Sequence, residues 1–369
     1  MRPLRGLAKA ELHYHLEGGM RYTTLIELCN KYNLPVPPDT RHQRYTNFDN
    51  FALAYRTACN CLREPEDIYR IVHEMLVDAL DAGCIWMEVA PSLLLYCHRF
   101  GGVEDTILLL LQAASAAEDA LQGKAACAYI ISAERMNPTS EAENLATVTT
   151  QLVLSGQHII HDRPGIVGFG LHGPEIGYPP ELFINTFNII ANCCTTATAT
   201  TTTNKTDDTR LLASMPHAGE FHPGNGISGP DSIRTAINSL GATRIGHGVL
   251  ATSDTDLLDQ LVQNKICLDV CISSNVLLHV VPNVKQHPLP YLLHMGIPVT
   301  INSDDPLLFG NRILDEYEVA RVELDLCDVD IAQIASYSFV YSYAPKDIKR
   351  RGLLGVRNWL DTTTIADEE

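Results

Sequence analysis

The sequence predicts an α/β protein: one (β/α)₈ TIM barrel with an extra helical segment after its first strand. Three observations carry this. Eight short apolar, β-rich runs alternate with helical patterns. Several of the runs are apolar throughout, as parallel strands buried on both faces are. The residues able to bind a metal or move a proton gather at the C-terminal ends of the runs, where such barrels place their chemistry.

The runs are Ala10–Leu16, Cys84–Ala90, Ala126–Ala133, Gly165–Leu171, Leu211–His217, Thr243–His247, Ile266–Cys271 and Ile297–Asn302. Strand–helix alternation repeated this often fits a closed barrel better than an open sheet. No G-x-G-x-x-G follows the first run, as a dinucleotide-binding fold would require. At 369 residues the chain is expected to be a single domain spanning residues 1–369, because such barrels run from roughly 200 to over 400 residues.

Two connections exceed a minimal barrel. Residues 18–81 hold three helix candidates, Tyr22–Tyr32, Asn47–Leu62 and Pro65–Asp81, too much for one crossover. They are expected to form a lid-like insertion, with Phe48, Phe51 and Tyr55 at helical spacing packing mainly as core. Residues 195–208, rich in Thr, are low in complexity and are expected to be a disordered surface loop before the fifth strand.

The formal net charge is −17 and the pI about 5.2. This excludes a phosphate-backbone binder, which needs a basic face. Eleven cysteines without a Cys-x-x-Cys read as reduced, buried thiols of a cytoplasmic protein. The N-terminus carries basic residues but no apolar stretch of a secretory signal. The most apolar helix candidate, Ile107–Ala117, is too short to span a bilayer. No membrane partner is expected.

Four motifs carry chemistry. In Glu11-Leu-His13-Tyr-His15-Leu-Glu17-Gly18, residues two apart on a strand share a face, so His13 and His15 project together as half of a metal site. Pro216-His217-Ala-Gly-Glu220 offers a third histidine and, where the chain leaves the strand, a carboxyl able to reach a substrate. Arg244-Ile-Gly-His247-Gly248 flanks a histidine with glycines that permit close backbone approach. Ile301-Asn-Ser-Asp304-Asp305-Pro306 pairs two aspartates. A helix cap before Pro306 accounts for one of them, whereas burying both needs a cation or strong donors.

Together these motifs resemble the adenosine deaminase family of the amidohydrolase superfamily, over nearly the whole chain and in family order. Cys271-Ile-Ser-Ser-Asn275 at the seventh strand matches as well. The resemblance implies one Zn²⁺ per chain held by His13, His15, His217 and Asp304, with a water completing the shell. It implies Glu220 as proton donor and His247 as the residue that orients and deprotonates that water. Asp305 is implied to contact the water and purine N7, Gly173 to donate to purine N3, and Glu17 to lie near the ribose hydroxyls. His15 also lines the implied substrate site. The implied partner is a small-molecule purine nucleoside. The implied reaction is zinc-dependent hydrolytic deamination of adenosine or 2′-deoxyadenosine to inosine or 2′-deoxyinosine plus ammonia.

Three departures bear on the sugar side. The strand-four motif is Leu171-His172-Gly173-Pro174-Glu175, where adenosine deaminases often read Leu-Ala-Gly-Asp-Glu. The stretch Phe221–Pro230 is longer than usual, with His222 expected to be a loop histidine. Glu17 stands where many adenosine deaminases carry Asp. Deaminases of 6-aminodeoxyfutalosine or N6-modified adenosine nucleotides use nearly the same residues and stay open. Adenine deaminases usually lack the strand-four glycine. A binuclear relative would want a lysine at the end of strand four, and none is there. A cytidine-deaminase type would show H-x-E with P-C-x-x-C, also missing. A metal-free barrel acting as a binding protein would have lost ligands, and none is lost.

Overall fold

The computed structural model describes residues 2–45, 48–198 and 211–362. Eight strands form one all-parallel sheet in chain order: β1 Lys9–His15, β2 Cys84–Ala90, β3 Ala126–Glu134, β4 Ile166–His172, β5 Ala213–Ala218, β6 Arg244–His247, β7 Cys267–Val270 and β8 Val299–Ile301. Each starts and ends within two residues of its predicted bounds. Every residue of β1, β3, β4, β6, β7 and β8 is buried. Strands sheltered on both faces can be apolar throughout, which is why the runs were legible.

The sheet closes where β8 meets β1. His15 N–H donates to Asp304 O at 3.0 Å and Asp304 N–H to His13 O at 3.3 Å. Below this bridge the Asn302 side chain takes over the ladder, accepting from Leu12 N–H at 2.8 Å and His13 N–H at 3.1 Å. The closure fixes Asp304 beside the two strand-one histidines. Helix Asp328–Val340 covers the seam, its Ser338 hydroxyl accepting from Ala10 N–H at 2.9 Å.

The barrel interior holds a buried ionic network. Arg244 pairs with Glu88 at 2.7 Å and Asp269 at 2.6 Å, and donates to Leu12 O at 3.0 Å. Breaking a buried pair strands an uncompensated charge. Arg244→Met is therefore expected to cost about 3–5 kcal/mol of stability in denaturant unfolding. A loss below about 1 kcal/mol, the range of exposed pairs, would show that the network is solvated.

The insertion forms α1 Tyr22–Lys31, α2 Phe48–Cys61 and α3 Pro65–Asp81. Phe51, Tyr55 and Arg56 of α2 line the cavity at the strand ends, so this helix covers the mouth as well as packing on the core. Phe48's side chain lies outside the described residues. Helix Ile184–Thr198 takes in the first four residues of the predicted Thr-rich loop, correcting its start. The segment from residue 199 to 208 lies outside the described residues. Among the described residues no helix is long and apolar enough to cross a membrane.

Candidate active site

β1 ends with His13 and His15 facing inward, β5 brings His217, and the turn after β8 brings Asp304. Their four ligand-capable atoms all lie within 4.8 Å of one another. Asp304 Oδ1 is 3.2 Å from His13 Nε2 and 3.3 Å from His15 Nε2. His15 Nε2 is 3.3 Å from His217 Nε2. Gly246 permits this crowding: a Cβ there would sit 2.7 Å from His13 Cε1. Asp304 and His247 hold φ of 63° and 60°, a left-handed conformation costing a non-glycine residue about 1–3 kcal/mol and found chiefly at functional sites.

The residues fit a zinc ion. Three imidazoles and a carboxylate are its usual donors. Burial pushes His15 and His217 well below the ordinary histidine range, leaving them neutral and able to ligate. Burial opposes ionisation of Asp304, but His13, with His247 and His15, outweighs it and holds the carboxylate ionised. Among the described residues His13 Nε2 is buried without a hydrogen-bond partner. A second set substitutes His247 and Cys271 for His15 and His217. It would require a thiolate, and burial pushes the Cys271 thiol well up.

Glu220, nine-tenths buried, lies with its Oε1 3.7 Å from His247 Nε2. Burial, then Asp304 and Glu175, raise its pKa well above the carboxylate range. Asp305 is raised likewise, by burial and then Asp304, and its Oδ1 has no hydrogen-bond partner among the described residues. Gly18 makes room for it: a Cβ there would sit 1.6 Å from that oxygen. The site thus holds two carboxyls biased to the acid form beside one held ionised, the division of environments that sets acid–base roles.

His247 is oriented by a relay. Leu289 N–H donates to His287 Nδ1 at 3.2 Å. This puts the His287 proton on Nε2, 3.2 Å from Asn275 Oδ1. The Asn275 amide nitrogen then faces His247 Nδ1 at 3.2 Å. The chain of donors leaves the His247 proton on Nε2, pointing into the site. Burial, then His13, lower the His247 pKa to about 3, consistent with a neutral ring.

The other predicted residues are placed as follows. Gly173 sits exposed on the cavity wall with φ of 90°. His172 and Pro174 line the same wall. His222 accepts from Gly229 N–H at 2.9 Å within its loop. Glu17 is fully buried and off the cavity wall. Its carboxylate accepts from Ser92 N–H at 3.1 Å, Tyr96 OH at 2.6 Å and Tyr55 OH at 2.9 Å.

Sequence reasoning missed several residues. Glu175 accepts from Gly219 N–H at 2.9 Å, Glu220 N–H at 3.1 Å and Phe221 N–H at 2.9 Å, fixing the turn that carries the acid. The buried Arg135 donates to His217 O at 2.7 Å. Glu134, Ser92 and Asn275 were equally unsignalled in these roles, since their partners are distant in sequence.

A (β/α)₈ barrel with a three-histidine, one-aspartate cluster at its strand ends and an acid poised beside it defines a hydrolase of the amidohydrolase fold. The adenosine deaminase family profile matches residues 8–359; the chain belongs to this family and is a hydrolytic deaminase acting on C–N bonds of adenosine- or adenine-like purines. It is 34% identical to a provisionally named adenosine/adenine deaminase of Streptomyces virginiae, over 97% of this chain and 98% of that protein. The crystal structure of an adenine deaminase from Arthrobacter aurescens superposes with a TM-score of 0.80 at 25% identity, covering 98% of this chain and 99% of that one. An amidohydrolase from Burkholderia ambifaria, solved with bound Zn, shares the fold with a TM-score of 0.78 at 20% identity, over 97% of this chain and 93% of that one.

Proposed function

We propose that the protein hydrolyses the exocyclic amine from C6 of a 6-aminopurine, releasing ammonia and the 6-oxopurine. The observation that carries this is the juxtaposition of the His13–His15–His217–Asp304 cluster with two acid-form carboxyls, Glu220 and Asp305. When bound to those four side chains, zinc supplies a water acidified to a pKa of about 7.

C6 of a neutral adenine ring is a poor electrophile. Glu220 protonates N1 and draws electron density from C6. Asp305, also carrying its proton, donates to N7 and fixes the ring in its plane. His247 Nε2–H donates to the attacking oxygen, orienting it and stabilising charge that develops on it. This tautomer makes His247 a donor in the resting enzyme, in place of the base expected from the sequence. After attack, the hydroxyl proton of the added oxygen passes to the amino group, ammonia leaves and C6 regains a planar double bond to oxygen; N1 keeps the proton from Glu220, which is restored by the proton shed when the water ionises.

The Asn275 contact tests the role of His247. Asn275→Asp would accept from Nδ1–H and move the proton off Nε2. Turnover is expected to fall by ~10–100-fold, the scale for losing a partner that orients such a site. If His247 serves instead as a base, turnover is unchanged or higher.

The reaction itself is tested by incubating zinc-loaded protein with adenosine, 2′-deoxyadenosine, adenine, AMP and 6-aminodeoxyfutalosine and following loss of the adenine absorbance. At least one is expected to react. Inertness toward all five would remove the deaminase reading.

A further inference from the structure

The first motif of the chain opens on Glu11, and the chemistry at C6 leaves that residue without a role. Glu11 lies on β1, two residues before His13, and is buried. Strand period alone would turn it into the barrel beside His13 and His15. The pairing of β1 with β2 instead shifts register between Glu11 and Tyr14. Glu11 borders a small cavity of about 20 Å³ that Met75 and Asp78 of α3 also line, outside the sheet, whereas His13 and His15 border a cavity inside the barrel. From there its carboxylate reaches over the seam to the turn after β8. Glu11 Oε1 accepts from Ser303 N–H at 2.9 Å and also from the Ser303 hydroxyl.

Ser303 precedes Asp304, and the seam shows why it is held. β8 ends at Ile301, and beyond it an isolated bridge pairs Tyr14 with Asp304. Three successive residues are tied to β1 one by one. The Asn302 side chain accepts from Leu12 and His13 N–H, Ser303 donates twice to Glu11, and Asp304 exchanges backbone bonds with His13 and His15. Of the β1 groups in this set Glu11 alone is a side chain, so it is the one that substitution can remove. Asp304 meanwhile holds φ of 63°, a conformation that a non-glycine residue keeps where its surroundings over-determine it. The turn that carries the acid is held by the same device. There Gly219 N–H and the Ser232 hydroxyl meet on Glu175 Oε1.

We propose that Glu11 is a positioning residue for the metal site: by clasping Ser303 it sets Asp304 in place beside the strand-one histidines. The proposal rests on the reading of the cluster as a zinc site. Asp304 Oδ1 lies 3.2 Å from His13 Nε2 and 3.3 Å from His15 Nε2. One cation can serve all three only while that spacing holds. Without the clasp the turn is free to relax toward ordinary backbone angles and carry the carboxylate away from the imidazoles. Zinc affinity then falls although every ligand is still present, because partners that orient a ligand set its affinity along with the ligand itself.

The test is zinc affinity, measured by competition with a chromogenic chelator on metal-free protein, alongside denaturant unfolding of the same samples. Glu11→Ala is expected to weaken zinc binding by ~10–100-fold, the scale for losing a partner that orients a metal ligand. Glu11→Gln keeps an oxygen acceptor for Ser303 and is expected to recover most of that loss. Ser303→Ala deletes one of the two donors and is expected to weaken binding by ~5-fold, the equivalent of one hydrogen bond. This small substitution decides the matter if Glu11→Ala does not fold. The double variant Glu11→Ala/Ser303→Ala is expected to bind no more weakly than Glu11→Ala, since both residues act through one contact. Wild-type zinc affinity in the single variants, with only their unfolding midpoints lowered, would show a purely structural residue and overturn the proposal. Losses that add in the double variant, or a glutamine variant as weak as the alanine one, would overturn it as well, with the zinc site intact. A wild-type protein that binds no zinc would remove the metal site itself, and the proposal with it.

Discussion

Glu220→Gln is expected to lower kcat by at least ~10²-fold, the usual contribution of a positioned acid, with little change in stability. The glutamine keeps the size and most of the polarity of the side chain, and Glu175 still holds the turn through Gly219, Glu220 and Phe221 N–H. What it loses is the proton for N1. The pH profile separates this from a loss of packing. The active form is the protonated carboxyl, whose pKa is raised by burial, then Asp304 and Glu175. The rate should therefore hold at lower pH and fall as pH climbs through that raised value. In the glutamine variant the alkaline fall assigned to Glu220 should vanish from the residual rate. A variant with near-wild-type turnover, or with the same alkaline fall, would remove Glu220 from the role of acid.

Asp304→Ala is expected to abolish zinc binding at stoichiometric metal and to cut turnover by at least ~10³-fold, since the ion supplies several kcal/mol at the transition state. Asp304 is the one carboxylate in the cluster and lies within 3.3 Å of both strand-one histidines. Its removal leaves three imidazoles, with no carboxylate, to hold a dication. Chelation of the wild-type protein should give the same loss, reversed by zinc. Metal content measured on both proteins decides the matter. A variant that keeps about one zinc per chain would show that Asp304 is not a ligand.

The barrel and the rim that carries the histidine–aspartate cluster were legible for a physical reason. Parallel strands wrapped by helices are apolar on both faces, so runs such as Ala126–Ala133 stand out. The cluster residues sit at the strand ends, where period two and the exit from the strand place His13, His15, His217 and Asp304 on one rim. The rest of the cavity wall was not legible, because its meaning lies in pairs distant in sequence. Glu134 ends a strand whose pattern says only that it is buried. That it faces His172 across to β4 and Ser92 from β2 emerges once the barrel closes. Glu17 shows the converse. Its motif position suggested a ligand contact, but sequence gives the face of a residue and not its neighbours. Tyr55 from α2 and Tyr96 reach it first. Arg135 and Glu175 share this character: each is a charged residue whose partners, backbone carbonyls for Arg135 and backbone N–H groups with the Ser232 hydroxyl for Glu175, lie on other elements.

The central claim is hydrolytic removal of an amine from C6 at the histidine–aspartate cluster. The most direct test is reaction of the zinc-loaded protein with adenine and with adenosine in heavy-oxygen water, with products read by mass spectrometry and ammonia counted. The account predicts one ammonia for each 6-oxopurine formed, with one solvent oxygen on the product at C6. A 6-oxopurine without heavy oxygen, or no ammonia from either compound, would contradict it.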